Sequence, residues 1–106
     1  MRTENKYGFI SGGYLFDKMD RIAQDWVETN HRDHKFWVTK SAKVHYLKQV
    51  CSLKDISYRV KLILRIRDTV FVDVTVHDPK DPKKNYAKAT FIFVGKDKLY
   101  CTRELS

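Results

Sequence analysis

Apolar residues in this chain follow two different periods. Leu15, Phe16, Met19, Ile22, Ala23, Trp26 and Val27 recur at three- and four-residue steps, so residues 5–30 predict a turn running into one long amphipathic helix. Lys18, Arg21, Asp25 and Glu28 fall outside that stripe, and Asp20 lies beside it, one residue after Met19. Ahead of the helix stand Gly8, Gly12 and Gly13, with Ser11 placed as the cap. The polar run 29–34 has no apolar period and should end the helix.

From Lys35 onward the period is two. Phe36, Val38, Ala42, Val44 and Tyr46 alternate with Trp37, Thr39, Ser41, Lys43 and His45, predicting a strand with Lys40 as the one intruder on its apolar face. Residues 47–55 read as a turn region. A clearer strand follows, with Ile56, Tyr58, Val60, Leu62, Leu64 and Ile66 on one side and Ser57, Arg59, Lys61, Arg65 and Arg67 on the other. Arg67-Asp68-Thr69 is short enough for a hairpin, after which Val70, Val72, Val74 and Val76 alternate with polar or aromatic residues. The prolines and charges of 78–85 suggest a loop, 86–94 a strand apolar on both faces, and 99–103 a short edge strand. The expected architecture is α+β, one long helix packed against a curved antiparallel sheet, in a single domain spanning 1–106.

Composition narrows the partners. Twenty-one Lys and Arg against thirteen Asp and Glu give a formal charge of +8, which favours polyanions such as nucleic acid, a membrane surface or a phosphate-bearing small molecule. The apolar runs are far shorter than the roughly 20 residues a spanning helix needs, and no secretory leader is visible at the N-terminus, so a soluble, cytoplasmic protein is expected. Cys51 and Cys101 are too few for a disulfide framework and are expected to be free structural thiols. His31 and His34 sit three apart, but zinc wants three or four protein ligands and no third stands near; no metal is expected.

The glycines leave two readings open at this level. They belong either to a plain loop with its helix cap, or to a pocket whose bare amides receive an oxyanion.

Taken together, Asn5, Gly8, Gly12 and Gly13 followed by Met19-Asp20 resemble the entry signature of the hot-dog fold acyl-CoA thioesterases, Asn-x-x-Gly-x-x-x-Gly-Gly and then a helix carrying Met-Asp. The strand with Val38-Thr39, the segment Tyr46-Leu47-Lys48 leading to Val50, and the late run 89–94 are similar to the family's core strands. The chain departs from the pattern at Ser11, at Gln49 in place of a proline, at Leu53-Lys54-Asp55, and at Arg67-Asp68-Thr69 where relatives carry a Gly-Thr-Ser hairpin.

The resemblance implies hydrolysis of acyl-CoA without a cofactor, in fatty acid metabolism, by a homodimer or higher homo-oligomer whose active site is shared between copies. Asp20 would be the general base or nucleophile, Asn5 of the facing copy would position water or thioester, and the amides of Gly12 and Gly13 would hold the oxyanion. Tyr14, Met19, Trp37 and Tyr46 would line the acyl slot. Arg59, Lys61, Arg65, Arg67 or the Lys83-Lys84 pair would meet the phosphates of CoA. The altered hairpin motivates a second reading, a non-catalytic acyl-CoA-binding module. The charge motivates a third, a nucleic-acid-binding domain, which no recognisable motif supports.

Overall fold

The computed structural model describes residues 3–98. One helix, α1 (Gly12–Asn30), is followed by β1 (Phe36–Tyr46), a single 3-10 turn (Leu53–Asp55), β2 (Ser57–Ile66), β3 (Thr69–Asp78) and β4 (Asp81–Lys96). The strands form one antiparallel sheet in the order β1-β4-β3-β2, which curves around the helix. The edge strand anticipated at 99–103, like Cys101, lies outside the described residues.

The helix begins where Ser11 Oγ accepts the Tyr14 N–H at 3.0 Å, satisfying one of the donors that a helix start leaves unpaired. Its predicted stripe is the buried face: Leu15, Met19, Ala23 and Val27 are buried, and Phe16 and Trp26 pack alongside. The sheet meets it with Val70, Val72, Val74 and Val76 of β3 and with Ala87, Ala89, Phe91 and Phe93 of β4. These residues alternate along the two central strands, as a sheet covered on one face requires.

On the two edge strands the observed faces differ from simple alternation, and a bulge is the reason each time. In β1 the register passes from Thr39↔Phe93 to Ser41↔Ile92, so Lys40 is the extra residue. Its insertion inverts the phase: Trp37, not Phe36 or Val38, enters the core before the bulge, and Ala42 and Val44 after it. In β2 the register slips between Leu62 and Leu64. Tyr58 and Val60 pack on the core, but beyond the bulge Arg65 turns to the helix side while Leu64 and Ile66 are exposed. Arg65 therefore does not share a face with Arg59 and Lys61.

β4 is also longer than the alternation suggests. It starts at Asp81 and so includes Pro82, which is tolerated because β1 pairs only as far as Ala87 and leaves this stretch of β4 without a neighbour on that side. Cys51 is exposed rather than a buried structural thiol. No helix among the described residues is long and apolar enough to cross a membrane.

Candidate active site

The loop before the helix is built on Asn5. Its Oδ1 accepts the N–H groups of Tyr7 at 2.9 Å and Phe9 at 3.2 Å, and its own N–H donates to Phe9 O at 2.7 Å. Gly8 makes the turn possible with φ +85°, where a side chain would be strained. Because Oδ1 is occupied by two backbone donors, the Asn5 amide orientation is fixed and Nδ2 remains as the donor available to a ligand. The loop is anchored below by Ile10 N–H to Val50 O at 2.8 Å.

Directly beside it the Tyr46 hydroxyl donates to Gly12 O at 2.7 Å, and its ring lies so close that a Cβ on Gly12 would stand 3.1 Å from the ring. The amides of Gly12 and Gly13 lie in the first helical turn, ahead of the first intrahelical donor, Leu15 N–H, and neither has a partner among the described residues. Asn5, Gly12, Leu15, Tyr46 and the segment 47–50 thus enclose a cleft of about 340 Å³. Partial burial raises the Tyr46 phenol above its usual range, so it stays a hydrogen-bond donor.

Asp20 is half-buried on the same helix and faces β1, where Thr39 Oγ1 donates to its Oδ1 at 2.8 Å. Gln24, one turn further on, ties the helix to the same strand through Nε2 to Trp37 O at 2.9 Å. Thr39 is a residue that pattern reading placed only as a strand position; its pairing with Asp20 depends on the phase set before the Lys40 bulge. Gly12 and Asp20 are two turns apart, about 12 Å along the helix axis. Asn5, Gly12 and Tyr46 are therefore brought together, while Asp20 of the same copy stands apart from them.

The remaining predicted contacts are dispersed. Met19 is buried in the core beneath the helix, and Trp37 is buried with Nε1 donating to His31 O at 2.8 Å. Tyr14 lies near Tyr58, whose phenol is pushed up to about 12, chiefly by burial with Tyr14 adding to it. Arg59 and Lys61 project from the open face of the sheet, opposite the helix. Arg67 occupies the β2–β3 turn at φ 53°.

Arg65 is committed elsewhere. It makes a bidentate ion pair with Asp33, meets His31 Nδ1 at 3.0 Å and lies over the Trp37 ring at 5.3 Å. Asp33 is held at about 2 by the Arg65 guanidinium. His31 and His34 accordingly do not converge. His31 faces Arg65, whereas His34 Nε2 meets Asp68 at 2.7 Å and His34 Nδ1 meets Asp97 at 3.3 Å.

No family model matches the chain, and no curated protein matches it by sequence. Solved structures do. A protein of Streptococcus mutans solved with bound acetyl CoA is 34% identical, with 89% of this chain and 73% of that one covered at a TM-score of 0.72. A hypothetical thioesterase of Streptococcus pneumoniae, solved with coenzyme A, is 28% identical over 91% of this chain and 75% of its own, with a TM-score of 0.75. Zebra fish thioesterase superfamily member 2, at 18% identity, shares the fold with a TM-score of 0.76, over 88% of this chain and 67% of that one. The single long helix wrapped by an antiparallel sheet, the glycine turn that opens it and these relatives place the chain in the thioesterase superfamily of hot-dog fold proteins.

Proposed function

We propose that the protein hydrolyses the thioester of acyl-CoA, giving free acid and CoA. The observation that carries this reading is a half-buried carboxylate, Asp20, paired with Thr39 of β1 and carried by the helix whose first amides, at Gly12 and Gly13, are unpartnered beside Asn5. Thioester hydrolysis needs a base or nucleophile and donors for the oxyanion, and these are the two halves of that requirement. The support from relatives is twofold. Two were solved with acetyl CoA or coenzyme A, and the pneumococcal thioesterase was also solved as an Asp→Ala and as a Thr→Ala mutant, the two residue types paired here.

A distance of about 12 Å along one helix keeps Asp20 from reaching a carbonyl held at its own Gly12. In this reading a second copy of the chain supplies the Asp20 that faces the Asn5–Gly12 cleft, so the active unit is a homodimer or a higher assembly of such dimers. Asn5 Nδ2 and the glycine amides bind the thioester oxygen, and Asp20, oriented by Thr39, activates water or attacks the carbonyl. Acyl specificity then belongs to the apolar surface of the cleft around Leu15, Tyr46 and Leu47.

Release of free CoA from a panel of acyl-CoAs tests this. Asp20→Asn should lower kcat on the order of a hundredfold to ten-thousandfold with KM little changed. Turnover that survives the substitution removes Asp20 from the mechanism. The β2–β3 turn supports a second reading as a non-catalytic acyl-CoA-binding module, because Asp68 there is occupied by His34 and Arg67 replaces a flexible residue. Calorimetric binding of acyl-CoA without any CoA release would favour that module.

A further inference from the structure

We propose that the open face of the sheet, the one turned away from the helix, is a docking surface for an anionic lipid bilayer. Strand register divides this face into two halves. Across the four strands, Val38, Val94, Thr69 and Ile66 stand side by side in one row, and Ser41, Ile92, Phe71 and Leu64 in the next. The two rows beyond them read Lys43, Thr90, Asp73 and Lys61, then His45, Lys88, Thr75 and Arg59. An apolar half therefore adjoins a cationic half on one continuous surface about 14 Å wide, with neighbouring rows about 7 Å apart.

The cations of this face are unpaired. Among the described residues the ion pairs are made by Arg21, His34 and Arg65, so Lys43, Arg59, Lys61 and Lys88 have no described carboxylate within 4.0 Å. Asp73, the one acid in the four rows, is taken up by the Thr90 hydroxyl, which donates to its Oδ1 at 2.7 Å. Lys43, His45, Arg59 and Lys88 line a cleft of about 320 Å³ around Asp73, which gives a phosphate headgroup room among uncommitted donors. In the other half Leu64 and Ile66 are exposed, and Val38, Phe71, Ile92 and Val94 are half-buried. A contiguous apolar patch left in water marks an interaction surface.

The adjacency of the two halves decides what covers them. A bilayer with anionic headgroups meets both at once: the ammonium and guanidinium groups reach the phosphates, while the apolar rows enter the boundary between headgroups and acyl chains. A second copy laid over the whole face brings cations onto cations or buries them against the apolar rows, and either arrangement costs. A nucleic acid uses the cations but leaves the apolar rows in water. Phe71 is the only Phe, Tyr or Trp in the four rows, too little for a stacking platform. The face is also separate from the cleft at Asn5, Gly12 and Leu15, which lies on the helix side and stays open when the sheet is docked.

Co-flotation with vesicles tests this. Wild-type protein should rise with vesicles of equimolar phosphatidylglycerol and phosphatidylcholine and stay behind with phosphatidylcholine alone. Lys43→Gln/Lys88→Gln should lower the partition coefficient about twentyfold, several-fold for each cation removed from the surface. Leu64→Ser/Ile66→Ser should still bind at low salt but lose the part of the binding that survives high salt, because screening acts on the cationic half alone. All four positions are exposed, and thermal melts matching the wild type show that the variants are folded.

Two controls isolate the face. Lys18→Gln/Arg21→Gln removes the same charge from the helix side and should float like the wild type; an equal loss there means that net charge binds the bilayer, and overturns the proposal. Asp20→Asn should also float like the wild type, so the surface stands or falls independently of acyl-CoA hydrolysis. No flotation with phosphatidylglycerol, or flotation that the Lys43 and Lys88 substitutions leave unchanged, overturns the proposal. Retention of a single- or double-stranded oligonucleotide through those lysines, with the vesicles left unbound, does so too.

Discussion

Both ring nitrogens of His34 face carboxylates, Asp68 on one side and Asp97 on the other, and a neutral imidazole with its single N–H cannot satisfy both. The hydrogen bond to Asp68, followed by that to Asp97, raises the His34 pKa above its usual 6.5. Asp33 Oδ2, 3.9 Å away, and Arg65 beyond it complete the charged surroundings, with the Lys35 N–H also on Asp97 at 3.4 Å. A raised histidine adds stability that is fully present below the unfolded value and is lost as pH rises through the folded one. His31 acts in the opposite sense: burial, then Arg65, lowers its pKa, so its contribution is present above 6.5 and lost as pH falls. Thermal melts of the wild type from pH 6.5 upward should therefore show a falling Tm that His34→Gln removes. Asp33, held at about 2 by Arg65, gives a separate acid limb: its contribution is present above 3.8 and lost as pH falls through about 2. Asp33→Asn should flatten that limb in the same melts. Sequence reading found the two histidines but set them against a metal hypothesis. Their real partners come from positions 63 residues or fewer away in the chain, which only the closed sheet brings close.

The helix and the four strands were legible because burial on one face writes a period into the chain, 3.6 in Leu15–Met19–Ala23–Val27 and two in the valines of β3. Where the period broke, the chain appeared only to contain an error. Lys40 read as a polar intruder on an apolar face, and the structure makes it the residue that changes the face. Deleting Lys40 makes Thr39 and Ser41 consecutive opposite Phe93 and Ile92, so plain alternation keeps Trp37, Ala42 and Val44 on one face and cooperative thermal unfolding by circular dichroism should survive; its loss would mean that the bend of the bulge is itself needed to wrap the helix. Lys40→Ala keeps the count of residues and should move stability by no more than about 0.5 kcal/mol. The second break, between Leu62 and Leu64, was hidden because three apolar residues in a row, Leu62 to Leu64, fit either phase. The turn that follows is strained at Arg67, whose φ of 53° suits glycine. Arg67→Gly should stabilise the fold by about 1 kcal/mol in denaturant titration, since it removes the left-handed penalty of a side chain. A lower denaturation midpoint would mean that the arginine side chain has a partner worth more than the strain.

At the scale of the whole molecule the candidate site divides into two groups of residues that one copy of the chain keeps apart. Asn5, Gly12 and Tyr46 stand at the start of the helix, and Asp20 with Thr39 stands two turns on. The motif residues were readable in the sequence, but their separation was not, because a linear motif carries no statement about which copy faces which. The separation makes the assembly testable through activity itself. Asn5→Ala and Asp20→Asn should each be nearly inactive when alone. Mixed in equal amounts and allowed to exchange subunits, about half the dimers become hybrids, and each hybrid has one site carrying both substitutions and one carrying neither, so about a quarter of wild-type activity should return. Recovery measured as CoA release after co-refolding, with the proportion of hybrids counted by native mass spectrometry, should scale with the hybrid fraction. If hybrids form and no activity returns, Asn5 and Asp20 act within one copy or not at all, and the shared site is wrong.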